Sequence, residues 1–81
     1  MSDESRQYEN IKMVCGALLL NRDLRAEPYA SIYKIGRKAD TVQGNFAALR
    51  ILSDQLATII NRLGKPERLE YDKNYEAMKN N

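Results

Sequence analysis

The stretch from Ile32 to Leu63 constrains this chain more than any other. Read in alternating steps of three and four, it presents Ile32, Ile35, Ala39, Val42, Phe46, Leu49, Ser53, Leu56, Ile60 and Leu63, and only Ser53 in that series is polar. Such a repeat gives a helix one apolar seam, the pattern by which helices lie along one another in a coiled coil. The chain is therefore expected to be all-α: an antiparallel helical hairpin or small helical bundle, completed by self-association.

The seam passes through Gly36 and Gly44 without a change of phase. That continuity favours one long helix over about 28–63. The alternative is a break between Gly36 and Asp40, giving a short helix at 28–35 and a longer one at 40–63. Asp40 would then cap the second helix and Gln43 would complete the capping pair. Pro28 suits the first helical position. At the far end, Gly64 and Pro66 stand where a terminating glycine and a following proline belong.

Upstream, a helix over about 5–26 is expected. Ser2 and Ser5 are candidate caps, and Asp3, Glu4 and Glu9 suit the positive end of the helix dipole. Tyr8, Ile11, Cys15 and Leu18 form one apolar stripe, and Met13, Ala17, Leu20 and Leu24 form another. A helix this apolar is buried on more than one side. Gly16 lies inside it at a cost of about 1 kcal/mol relative to Ala, which close approach of a second backbone would justify. Glu27, preceding Pro28, is disfavoured in the helical region, so this helix should end by Ala26 and connect through two or three residues. The tail, 66–81, carries Tyr71, Tyr75 and Met78 at helical spacing and reads as a short docked helix or a frayed end.

Lengths give the argument for a second copy. A helix over 5–25 spans about 30 Å, and one over 28–63 spans about 54 Å. The shorter helix would reach only to about Arg50, leaving Leu52, Leu56, Ile59, Ile60 and Leu63 for self-association. A homodimer or higher oligomer, built as a four-helix bundle, is the expected arrangement. The whole chain, 1–81, reads as a single helical domain.

The residue inventory removes most chemistry. The chain has no histidine and one cysteine, Cys15, so the common zinc, haem and iron–sulfur ligand sets are absent and no Ser-His-Asp or Cys-His arrangement can form. Gly16, Gly36, Gly44 and Gly64 are isolated and make no phosphate loop. Asp40 and Asp54, the carboxylates of the central stretch, stand two heptads apart on outward positions. No enzyme activity, no metal and no cofactor are expected. Cys15 lies in an apolar run and reads as a buried, inert thiol. The acidic start argues against a secretory leader, and the longest apolar run is too short for a bilayer. A cytoplasmic protein without a membrane partner is expected.

Charge is uneven. Residues 28–65 carry Lys34, Arg37, Lys38, Arg50, Arg62 and Lys65 against Asp40 and Asp54, while the segments on either side are mildly acidic. Tyr29, Tyr33, Lys34, Arg37 and Lys38 are the candidate contacts for an anionic ligand or a nucleic acid, because tyrosine rings stack on bases and the cations neutralise phosphate.

Residues 31–46 also resemble a helix-turn-helix. Ile35-Gly36 would close the first helix and form the turn, and Thr41, Val42 and Gln43 would open the recognition helix. Ile32, Arg37 and Asn45 depart from the residue types usual at their positions in that motif.

Three functions follow. The leading one is a small non-enzymatic helical binding protein, acting as a regulatory, adaptor or inhibitor protein through macromolecular contacts, with another protein as the expected partner. The alternatives are a helix-turn-helix-like DNA-binding regulator and an oligomeric binder of anionic nucleotides.

Overall fold

In the computed structural model, residues 3–22 and 24–80 are described. Four helices follow one another: α1 (Asp3–Leu19), α2 (Ala26–Thr41), α3 (Phe46–Asn61) and α4 (Lys65–Lys79). The all-helical expectation holds. The arrangement is a small bundle, 34 × 28 × 17 Å, in which α1 packs against each of the other three helices.

The central position of α1 follows from its two apolar stripes. Ile11, Ala17 and Leu18 are fully buried, and Val14 and Cys15 nearly so. Against them lie Ile32, Ile35 and Ala39 of α2, Leu49, Leu52 and Leu56 of α3, and Tyr71 of α4. Ser5, one of the two expected caps, is a residue within α1, and Ser2 lies outside the described residues.

α1 ends at Leu19, well before Ala26, where α2 begins. Asn21 accounts for the early stop. Its backbone N–H donates to Leu18 O at 3.1 Å, and its buried side chain donates from Nδ2 to Glu67 O at 2.9 Å. Glu27 is helical despite preceding Pro28. The missing N–H of Pro28 falls in the first turn, where donors have no intrahelical partner.

The long helix over 28–63 is not formed. The break also does not fall between Gly36 and Asp40: α2 runs through both residues, and the turn occupies 42–45. Val42 N–H donates to Ala39 O at 3.2 Å, ending α2. Asn45 then caps α3, its side-chain oxygen accepting from Ala48 N–H at 3.1 Å. Val42 and Phe46 flank this turn four residues apart, so a spacing of four survives on paper although the helix does not.

The seam changes on α3 as a result. Its buried positions are Leu49, Leu52 and Leu56, Ser53 is half-buried, and Phe46 is 42% exposed. Leu52 and Leu56 of the expected self-association set are therefore taken up by the chain's own core. Ile59, Ile60 and Leu63 pack partly against it. With the helix broken, the overhang that argued for a second copy is absent.

Gly16 and Gly36 both lie inside helices and meet side chains of neighbouring helices. A Cβ on Gly16 would stand 3.0 Å from Met78 Cε, so a side chain of α4, not a second backbone, covers that position. Gly36 packs on α1 through side chains as well: a Cβ there would stand 3.7 Å from Cys15 Sγ, an ordinary van der Waals contact.

Gly64 also departs from expectation. Its φ is −68°, and it serves as the N-cap of α4 rather than as a left-handed terminator of α3. The tail forms the docked helix of the two versions expected: Tyr71 is buried, Tyr75 and Met78 pack on the core, and the Tyr71 and Tyr75 rings lie 5.9 Å apart.

Candidate functional site

α2 lies along α1 through Ile32, Ile35, Gly36 and Ala39, which leaves the opposite side of α2 exposed. Helical spacing puts Tyr29, Tyr33 and Arg37 in one stripe and Lys34 and Lys38 in the next. All five expected contact residues are exposed on this one helix. Arg37 Nη1 donates to Tyr33 Oη at 3.4 Å, and its guanidinium carbon stands 5.9 Å from the Tyr33 ring centroid. That hydrogen bond holds the Arg37 pKa above its ordinary value.

A shallow recess of about 950 Å³ runs beside this face. Tyr33, Lys34, Arg37 and Lys38 line it, with Lys12 from α1, and Asp40 and Thr41 close it. Tyr29 stands outside it. Lys12 and Asp40 were not among the contacts read from the sequence.

Asp40 is held from two sides. Tyr8 Oη donates to its Oδ1 at 2.6 Å, and Lys12 Nζ stands 3.2 Å from the same oxygen. The Tyr8 hydrogen bond, followed by that of Lys12, lowers the Asp40 pKa below the usual carboxylate value. The same contact raises that of Tyr8. Lys12 thus offsets the charge of Asp40. The ion pairs among the described residues, Lys12–Asp40 and Arg68–Asp72, leave Lys34, Arg37 and Lys38 as net positive charge on the surface.

A second recess, of about 420 Å³, opens between α2 and α3. Ile35 and Ile59 provide its apolar surface, and Ser31, Lys34, Gln55 and Thr58 edge it. Towards the start of α2 it continues past Pro28 and Leu63, with Glu27 and Arg62 alongside. Lys34 borders both recesses and joins them.

The helix-turn-helix reading of 31–46 requires a turn at Ile35-Gly36, and that turn is absent. Gly36 is buried inside α2 against Cys15. Burial pushes the Cys15 thiol up to about 11, so it stays protonated at neutral pH. No group of three or more potential metal-ligating side chains occurs among the described residues. No helix among them is long and apolar enough to cross a membrane.

Comparison with protein-family models, with curated proteins and with solved structures finds no match to this chain.

Proposed function

We propose that this chain is a non-enzymatic binding protein that acts on another protein as a regulator, adaptor or inhibitor. The observation that carries this reading is the exposed face of α2. Tyr33, Lys34, Arg37 and Lys38 stand together there, with the one bordering carboxylate already paired. Tyrosine and arginine are the residue types that contribute most at protein interfaces, because each combines apolar contact area with directed hydrogen bonds. Capture experiments test it. Wild-type chain and the Tyr33→Ala/Arg37→Glu/Lys38→Glu variant are compared as baits in lysate of the source cells. Partners retained by wild type and lost by the variant are the expected result. Identical capture by both baits would remove this face from the function.

The cationic recess favours one second reading, an anionic nucleotide with its phosphates at Lys34, Arg37 and Lys38 and its base against Tyr33. Thermal stabilisation by nucleoside triphosphates, lost in the same variant, tests it.

Self-association is a further proposal. It now rests on the partly exposed Ile59, Ile60 and Leu63 rather than on Leu52 and Leu56, a surface where a second copy would compete with a different partner protein. Sedimentation equilibrium decides it.

A further inference from the structure

The geometry points to the α2–α3 groove as the docking site for an acidic amphipathic helix of a partner protein. This rests on the protein-binding reading above and specifies both the place and the chemistry of the partner. Two observations carry it.

The first is shape and polarity. α2 and α3 each pack on α1, which leaves a valley between them with Ile35 and Ile59 at its apolar surface. The valley continues to Pro28 and Leu63. From Pro28 to Ile35 a helix rises about 10 Å, which is the length of two turns. A docked helix of the same rise fills that length with apolar anchors at i, i+3 or i+4, and i+7. The edging side chains Ser31, Gln55 and Thr58 are uncharged, so an apolar anchor meets no buried charge as it enters.

The second is charge. Lys34 stands on the α2 edge of the groove and joins it to the neighbouring recess beside α1, which Arg37 and Lys38 line. Arg62 lies at the far end of the groove, accompanied by Glu27. A partner helix with carboxylates flanking its apolar stripe therefore meets Lys34 on the α2 edge and Arg62 at the end of the groove. A basic helix meets repulsion there. A single strand of nucleic acid would satisfy the cations and leave the apolar valley unused.

The test uses the full-length 15N-labelled chain and three probes. One is a synthetic amphipathic helix with leucines at i, i+3 and i+7 and glutamates on both flanks. Another is the same peptide with lysines in place of the glutamates. The third is an oligothymidylate. The acidic peptide is expected to shift the amide signals of Ser31, Ile35, Gln55, Thr58 and Ile59, and to bind at least tenfold more tightly than its lysine counterpart. Ser31→Glu/Thr58→Glu, two exposed positions on the helix edges, is expected to weaken it at least tenfold with the circular dichroism spectrum and Tm unchanged. Equal affinity for the two peptides, shifts produced by the oligothymidylate alone, or no shift at millimolar peptide would overturn the proposal. So would concentration-dependent shifts of these amides without peptide, which would assign the groove to a second copy. In the lysate capture, loss of partners with the Tyr33→Ala/Arg37→Glu/Lys38→Glu variant but not with Ser31→Glu/Thr58→Glu would reject the groove and keep the protein-binding reading. Loss in neither would reject both.

Discussion

Gly36 brings the backbone of α2 against Cys15 of α1, so closely that a Cβ at position 36 would lie 3.7 Å from the cysteine sulfur. That distance is an ordinary van der Waals contact, so one methyl group fits and a larger side chain does not. Gly36→Ala is expected to stabilise the protein by about 0.5–1 kcal/mol, because alanine is the better helix former. Gly36→Leu is expected to destabilise it by about 1–3 kcal/mol through overpacking. Urea denaturation of both variants measures this. Destabilisation by alanine would mean that α1 and α2 meet more tightly at Cys15 than this contact, or that residue 36 is not inside a helix.

The cap at the head of α3 is the second target. Asn45 accepts from Ala48 N–H, and Asn45→Ala removes that acceptor at an expected cost of about 1 kcal/mol, while Asn45→Asp restores it. Equal stability of wild type and the alanine variant in chemical denaturation would place the start of α3 elsewhere.

Phe46 and Leu49 are successive members of the apolar seam and should differ sharply. Leu49 is fully buried, and Leu49→Ala is expected to cost about 2–5 kcal/mol. Phe46 is 42% exposed, and Phe46→Ala is expected to cost only about 1 kcal/mol. A continuous helix with an unbroken seam would bury both and make the two costs comparable, so the pair distinguishes the two chain paths.

The Asp40 cluster makes a prediction about acid. Its folded pKa is lowered, first by the Tyr8 hydrogen bond and then by Lys12. A depressed carboxyl pKa contributes stability above the unfolded value, and that contribution is lost as pH falls through the folded value. The effect therefore lies on the acid side, below the ordinary carboxylate pKa of 3.8. Tyr8→Phe is expected to move the Asp40 titration upward, as followed by carboxyl carbon NMR. Superimposable titrations would show that the hydroxyl contact is not made in solution.

Cys15 makes the opposite prediction. Burial raises its pKa from 9.0 to about 11, so its contribution is complete below pH 9.0 and is lost as pH rises through about 11. At pH 8 its reaction with an aromatic disulfide reagent is expected to be slow in buffer and fast in urea. Rapid reaction of the folded chain would contradict its place between α1 and α2.

The heptad seam and the spacing of Tyr71, Tyr75 and Met78 were enough to read an all-helical chain and a C-terminal segment able to dock. These are properties of composition and of neighbours three or four residues apart, and sequence displays them directly. The path of the central stretch was a different matter. A turn that leaves Val42 and Phe46 four residues apart preserves a helical spacing, so periodicity alone could not show where α2 ends. The signal was local and easily outweighed: Gly44 followed by Asn45, a capping residue. Burial was decided by docking onto α1, which selects Leu49, Leu52 and Leu56 and leaves Phe46 at the surface. Tertiary structure alone brought Tyr8 and Lys12 to Asp40, across 32 and 28 residues. It alone opened the valley between Ile35 and Ile59, because contacts between distant residues depend on how whole helices pack and leave no trace in the spacing of any one of them.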